Sequence, residues 1–333
     1  MNFEINVKFE IHFHIKKKVK DVRCEKEETT ILSTPIEKTL QLAEQEVEKW
    51  KESLSPSTLG NYLTALRSLN QFLNSIAGVK ELNQETIKAY ERWLRSRKVN
   101  LNTISCYMRC LRSLFNKVYV GKPCVNWFDN VFTGRTTTEK RSISESDIVK
   151  LRSLKLKASS FACLVRDLFI FSFYALGMPF VDIAFLKKEQ IKDDRLIYYR
   201  HKTGQRVAIK LEPCMKEILM RYYTNEREYV FPIINSCNRD KAYAEYQLML
   251  NRYNKKVKIL AQKAGIQSRL SSYTPRHTWA SMAYNNSVDL HVISKALGHA
   301  NPQTTLTYIR QIDDTRLEEA NHLMVGRVAA RAK

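Results

Sequence analysis

Between positions 36 and 54 the apolar residues recur every three or four positions, which is the repeat of one helix face. They are Ile36, Leu40, Ala43, Val47, Trp50 and Leu54. Three further stripes with the same repeat begin after Ser57, Asn83 and Asn102. Because short connections join the four stripes, the sequence predicts a compact helical bundle over residues 33–120.

The first residues follow another pattern. Apolar and polar side chains alternate from Phe3 to Ile15, with the period of two that is typical of a β-strand. Lysines at positions 16 to 18 end the alternation. Residues 1–32 are therefore expected to form a short strand-like arm in front of the bundle.

The remainder of the chain predicts a linker and a second domain. Residues 121–143 combine Gly, Pro, Thr and basic side chains, which is typical of a linker, and the second domain then occupies residues 144–333. Within it, Phe161–Tyr174 is apolar on nearly all sides, which predicts a central buried helix. The chain as a whole is expected to be mainly α with a small β-sheet, an α+β fold.

The small sheet is expected from two segments. Residues 196–211 predict a hairpin whose turn holds Lys202, Thr203 and Gly204, because glycine readily adopts a positive φ. Residues 229–234 are rich in β-branched and aromatic side chains and predict a further strand.

The charge of the chain points to a polyanionic partner. Lys and Arg number 55 against 34 Asp and Glu, a net charge of +21. A basic surface that only keeps the protein soluble is the alternative, and no terminal amphipathic helix with a basic face favours a membrane surface. If the partner is DNA, the candidate contacts are basic residues on helix faces and in the linker: Arg67, Arg109, Arg112, Lys140 and Arg141.

The composition also narrows the cellular setting. The sequence contains no apolar run of about 18 residues and no signal-peptide pattern at its start, so we expect neither a membrane span nor export. The seven cysteines are scattered singly, which indicates reduced thiols and a cytoplasmic protein. No Cys or His pairs recur at ligand spacing, so zinc is not expected.

The last sixty residues contain a set of groups suited to phosphate chemistry. Tyr308 follows a helix start at Asn301 and Pro302, but a phenol is a weak nucleophile at neutral pH unless cations stabilise the charge that develops. Arg276 is such a cation: Thr274 is the expected helix cap, and the helix N-terminus already favours an anion. Its guanidinium also matches phosphate geometry.

Two further groups complete the set. His299 follows Gly298 and can hydrogen-bond a phosphate oxygen, while Lys202 at the hairpin tip can give a proton to a leaving alkoxide. Each residue alone is most simply a loop histidine or an exposed cation. Because no phosphate-binding Gly-rich loop or carboxylate cluster accompanies them, neither a cofactor nor a metal is expected.

The order of these motifs resembles the tyrosine recombinase, or phage integrase, family. The matching pieces are Lys202-Thr203-Gly204, Tyr273-Thr274-Pro275-Arg276-His277, Leu297-Gly298-His299 and residues 304–308. The bundle is similar to that family's SAM-like core-binding domain, and residues 177–184 further resemble integrases of Bacteroides-type mobile elements.

The resemblance implies a DNA recombinase acting as a homotetramer on double-stranded DNA, in the bacterial cytoplasm at the nucleoid. The resemblance also implies accessory DNA-bending proteins as partners. Tyr308 would attack a phosphodiester and form a 3′-phosphotyrosyl link, while Lys202 protonates the departing 5′ oxygen. Arg276 and His299 would hold the charge of the transition state. The catalytic set would also include Tyr273, which stands where the family usually has histidine.

One departure from the family keeps a second interpretation open. Leu176 stands where the Bacteroides-like relatives commonly have an arginine, and Arg166 lies about three helical turns upstream. The alternative is therefore a catalytically weakened DNA-binding or architectural protein of the same family. A nuclease that nicks without rejoining is a third interpretation.

Overall fold

The computed structural model describes residues 36–76, 81–119, 125–136, 142–301, 303–306, 321–322 and 325. In this part of the chain the expected fold class is confirmed: helices dominate, and the strands form one three-stranded sheet. The arm expected at residues 1–32 lies outside the described residues, as do Lys140, Arg141 and Tyr308. The chain divides into two compact units, Met1–Thr136 and Thr137–Lys333.

Four helices make up most of the described residues of the first unit. They are α1 (Ile36–Lys49), α2 (Pro56–Asn74), α3 (Gln84–Ser96) and α4 (Leu101–Val118). Asn83 caps α3 as predicted, because its side chain accepts a hydrogen bond from the backbone N–H of Thr86 at 2.9 Å. The caps of α2 and α4 are Ser55 and Asn100, two residues before the predicted positions.

The inward faces of these helices meet in one core. Its fully buried members include Ala43, Leu69, Phe72, Ile87, Tyr90, Met108 and Phe115. Trp127 and Phe128 belong to the same core, and the Trp127 ring lies edge-on at 5.9 Å from that of Phe115. Thr136 is held by two backbone hydrogen bonds with the Asn102 side chain, at 3.0 and 3.1 Å. The described residues from Val125 to Thr136 therefore belong to the first unit, although they lie within the linker expected at residues 121–143.

The second unit surrounds a buried helix. Its elements are α5 (Glu145–Arg152), α6 (Phe161–Tyr174), α7 (Phe180–Ala184), β1 (Ile191–Lys192), β2 (Arg195–Tyr199), β3 (Arg206–Lys210), α8 (Pro213–Tyr222), α9 (Arg239–Lys263), α10 (Thr274–Asn285), α11 (Leu290–Ala296) and α12 (Gln303–Leu306). Helix α6 packs against α5, α7, α8, α9 and α10, with Phe169 and Phe171 fully buried. The central buried helix predicted at Phe161–Tyr174 therefore has the predicted bounds.

The sheet is antiparallel with the order β1-β2-β3. Leu196 pairs with Ile209 and Tyr198 with Val207, and all four side chains are buried because they share the inward face of the hairpin. Residues between β2 and β3 form the predicted turn, in which Gly204 has φ +65°.

The strand predicted at residues 229–234 is wrong. Tyr229 makes only an isolated antiparallel bridge with Lys187, and the following residues have irregular backbone. Val230, Phe231 and Ile234 are nevertheless buried in the core of the second unit. Pro232 lacks the N–H that a strand ladder needs, so this apolar segment packs without pairing.

Candidate active site

Arg276 occupies the first turn of α10 and is almost completely buried, with 1% of its surface exposed. Its Nη1 donates to the carbonyl oxygen of Gly177 at 3.1 Å, and Nη2 donates to that of Leu297 at 2.6 Å. Tyr273 takes the cap position that the sequence assigned to Thr274, whose Oγ1 instead accepts from the N–H of Ser271 at 2.9 Å. The guanidinium is thus fixed between two distant segments of the chain.

Gly177 allows this arrangement. It has φ +70°, and a Cβ atom there would lie 2.7 Å from the Cα of Arg276. A side chain at position 177 would therefore both strain the backbone and displace the start of α10.

His299 lies directly beside the Arg276 guanidinium. Its Nε2 is 3.0 Å from Nη2 of Arg276, and its Nδ1 is 2.8 Å from Oγ1 of Thr305. Because the guanidinium can only donate, Nε2 accepts and the proton resides on Nδ1. Burial is the largest cause that lowers the pKa of His299 to about 4. The nearby positive charges of Arg276, Arg200 and Lys202 act in the same direction.

Lys202 is exposed at the tip of the β2–β3 hairpin. The next residue, Thr203, donates its hydroxyl to the carbonyl oxygen of Gly298 at 3.1 Å. The hairpin tip is therefore tied to the turn that precedes His299. Lys202, Arg276 and His299 are thus brought together around residues 297–298.

The same turn holds a residue that the sequence interpretation missed. Arg200 is 5% exposed, and its Nη1 donates to the carbonyl oxygens of Leu297 and, at 3.4 Å, of Gly298. A signal exists in the sequence: Leu196, Tyr198 and Arg200 alternate along β2, so the arginine continues the inward register.

Asp182 orients Arg200 from the other side. This carboxylate, on α7, accepts from Nε of Arg200 at 2.9 Å, and also from the N–H of His201 at 2.9 Å. It is 3% exposed, so it lies in an environment where an ion pair is little screened by solvent. Asp182 therefore fixes both the guanidinium and the first residue of the hairpin turn.

The other candidates lie at the edge of this site or away from it. Tyr273 is 43% exposed, with its ring 6.2 Å from that of His277. Leu176 is half-buried with φ +58°. Arg166 is engaged elsewhere, because it donates to Asp167 at 2.9 Å and to the carbonyl oxygen of Leu154 at 2.7 Å. It does not take the place of an arginine at position 176.

The DNA-contact candidates that the structure describes are exposed on the first unit. Arg67 is on α2, and Arg109 and Arg112 are one turn apart on the same face of α4. Among the described residues, no three His, Cys, Asp or Glu side chains cluster as metal ligands would. No helix in the described part of the chain is both long and apolar enough to cross a membrane.

Comparison with known proteins gives matches along both units. The Phage integrase family model matches residues 151–314, and the Phage integrase SAM-like domain model matches residues 38–120. Tyrosine recombinase XerD of Shewanella oneidensis is 24% identical over 276 residues, covering 80% of this chain and 90% of that protein.

Solved structures share the fold. A lambda integrase dimer bound to a COC′ core site matches with a TM-score of 0.64 and 15% identity, over 84% of this chain and 98% of that chain. The integrase of transposon Tn1549, in complex with transposon right end DNA, matches with a TM-score of 0.62 and 14% identity, over 86% and 99%. With one family model on each unit, this chain belongs to the phage integrase family of tyrosine recombinases.

Proposed function

We propose that this chain is a site-specific DNA recombinase that cleaves and rejoins strands through a 3′-phosphotyrosyl intermediate on Tyr308. The observation that supports this function best is the convergence of Arg276, His299 and the Lys202 hairpin on the turn at residues 297–298. These groups come from α10, from the turn after α11 and from the hairpin, and two cations with a neighbouring imidazole suit a phosphate.

The chemistry assigns a role to each group. The Tyr308 phenol gives its proton to solvent and its oxygen attacks the phosphorus, so that a tyrosyl–phosphorus bond forms and the bond to the 5′ oxygen breaks. Lys202 gives that oxygen its proton, and Arg276 binds a non-bridging oxygen. Attack by a 5′-hydroxyl on the phosphotyrosine then restores the phosphodiester, so bond energy is conserved.

His299 changes its state when the phosphate arrives. In the free site it is neutral, because burial and the surrounding cations lower its pKa to about 4. A phosphate adds negative charge beside the cations, which favours the imidazolium and raises this pKa. His299 then donates to a phosphate oxygen. Tyr273, at the exposed start of α10, supplies a further hydrogen bond at the edge of the site.

The two units divide the remaining work. The core-binding domain is formed by residues 33–120 and contacts the duplex through Arg67, Arg109 and Arg112. The linker, residues 121–143, joins it to the catalytic domain. Lys140 and Arg141 in this linker add phosphate contacts. Residues 144–333 carry the catalysis. Lambda integrase has been solved as a tetramer bound to a Holliday junction, which supports a homotetramer on DNA here. The protein acts at the bacterial nucleoid, and DNA-bending proteins assist it.

A nicked-duplex trap tests the proposal. A library of duplexes with a randomised core and a nick beside each potential cleavage position is incubated with the full-length protein. Cleavage releases a short fragment that carries the 5′-hydroxyl, so the covalent intermediate accumulates and survives denaturation. The wild type and the control Tyr223→Phe, at an exposed tyrosine, are expected to form the adduct, and Tyr308→Phe is not.

The same trap separates the second candidate function. Leu176 favours a weakened family member that binds DNA without cutting it. Tight binding with no wild-type adduct would support that alternative. Free ends without an adduct would indicate a nicking nuclease. An adduct that persists in Tyr308→Phe would overturn the assignment of the nucleophile.

A further inference from the structure

We propose that Arg200 is the second phosphate-binding guanidinium of this active site, positioned by Asp182 and taking over the work of the arginine absent at position 176. This inference rests on the proposed function, because it concerns the phosphate on which Tyr308 acts.

The position of Arg200 is the first support. Arg200 and Arg276 both donate to the carbonyl oxygen of Leu297. Since each donating nitrogen lies within hydrogen-bond distance of one oxygen, the two nitrogens are at most about 6 Å apart. A single phosphate with its several oxygen atoms can accept from both guanidinium groups at that spacing.

The remaining donor capacity of Arg200 is the second support. Nε is used by Asp182 and Nη1 by the carbonyls of residues 297 and 298. In the described part of the chain, Nη2 of this buried side chain has no hydrogen-bond partner. An arginine has five N–H donors, so two fixed nitrogens orient the guanidinium while the third keeps donors for a ligand.

The balance of charge is the third support. Arg200, Arg276 and Lys202 are positive, whereas Asp182 is the one carboxylate that pairs with Arg200 among the described residues. Two guanidinium groups at one carbonyl repel each other, and a bound anion relieves this repulsion. The site therefore carries an excess of positive charge, which favours the binding of an anion.

Gly298 is adapted to Arg200 as Gly177 is to Arg276. It has φ +62°, and a Cβ there would lie 2.9 Å from Cγ of Arg200. The backbone thus approaches both arginine side chains at a glycine. A purely structural arginine that holds the turn at residues 297–298 is the competing interpretation, and the experiment must separate it from phosphate binding.

A substrate whose scissile phosphate carries no charge distinguishes phosphate binding by Arg200 from a purely structural role. Single-turnover adduct formation is measured for the wild type and Arg200→Ala on two versions of a nicked duplex. One version has the ordinary phosphate, and the other has a methylphosphonate, in which a methyl group replaces one non-bridging oxygen; both diastereomers are used. For each protein the ratio of the two rates is compared, because a loss of folded protein cancels in that ratio.

Phosphate binding by Arg200 predicts a loss of about 100- to 1,000-fold for Arg200→Ala on the ordinary phosphate, as for other transition-state donors. On at least one methylphosphonate diastereomer the variant should then come within a few-fold of the wild type. Asp182→Asn is expected to give a smaller change of the same kind, and the control Arg195→Ala, at an exposed arginine of β2, none. An equal loss on every substrate would overturn the inference.

Failure of the proposed function gives a different result. A wild type that forms no adduct on the ordinary phosphate removes both proposals together. A wild type that forms the adduct supports recombinase chemistry whatever Arg200→Ala does. If Arg200→Ala does not fold, Arg200→Lys is used instead. Lysine keeps the positive charge but lacks the planar guanidinium, so its loss of adduct-formation rate should also be confined to the ordinary phosphate.

Discussion

His299 accepts a hydrogen bond at Nε2 from the Arg276 guanidinium, with 3.0 Å between the two nitrogen atoms. The contact joins the start of α10 to the turn after α11 and holds the imidazole neutral in the empty site. The proposed mechanism assigns both residues to the phosphate. Without a phosphate they therefore hydrogen-bond to each other, and with a phosphate each donates to one of its oxygen atoms.

The depressed pKa of His299 predicts a pH-dependent stability. An unfolded histidine takes up its proton near pH 6.5, whereas the folded one does so only near pH 4. The unfolded state therefore binds more protons between these values, and stability is lost as the pH falls from 6.5 to 4. Urea unfolding of the wild type and His299→Gln at several pH values should show their difference in free energy shrinking below pH 6.5. Parallel profiles would contradict the assigned neutral state.

Two glycine substitutions test the close approach at Arg276. Gly265→Ala meets no atom within 4 Å and is expected to destabilise by about 1–2 kcal/mol through its positive φ alone. Gly177→Ala adds the contact with the Arg276 backbone and should cost a further 1–3 kcal/mol or so. Chemical denaturation of both variants measures this difference. Equal losses of stability would mean that position 177 has room for a side chain.

Substitution of Arg276 should affect catalysis more than DNA binding. Arg276→Lys keeps the charge but cannot reach Gly177, Leu297 and His299 with one planar fork. We expect the rate of adduct formation to fall by about 100-fold or more. The rate per folded molecule is measured in single turnover, with the exposed Arg269→Lys as the control. A tenfold or smaller loss would argue against a direct contact with phosphate.

DNA binding should depend steeply on salt, because each phosphate contact releases counterions. Alanine at Arg67, Arg109 or Arg112 should reduce the slope of log affinity against log salt by about 0.9 for each contact removed. Lys49→Ala is the control, since Lys49 pairs with Glu46 at 3.0 Å. Fluorescence anisotropy with a labelled duplex at several salt concentrations gives the slopes. Unchanged slopes in the arginine variants would remove these residues from the interface.

The sequence predicts local features of this fold well and distant contacts poorly. The Asn83 cap of α3, the α6 core helix and the hairpin turn follow from short-range patterns that local backbone physics decides, whereas the caps of α2, α4 and α10 lie one or two residues from their predicted positions. The partners of Arg276 are beyond such patterns: Gly177 lies 99 positions away in sequence. Pro232 signals that its apolar run is not a strand, although the composition of the run suggests one.

Arg200 illustrates the same division. Its inward register is readable from Leu196 and Tyr198, but its partner Leu297 is 97 positions away. A charged residue beside a polar turn is ordinarily exposed, so the burial of Arg200, which follows β2, depends on Asp182 from helix α7. Only the folded structure brings this carboxylate and the turn at residues 297–298 to the same guanidinium.

The most direct test is to identify the amino acid that becomes attached to DNA. Trapped adduct is digested with nuclease and trypsin, and mass spectrometry is applied to the peptide of residues 296–310, which contains one tyrosine. The proposed mechanism predicts that this peptide carries a nucleotide 3′-phosphate on Tyr308. A nucleotide on any other residue, or a recombined product formed with no protein–DNA linkage, would contradict it.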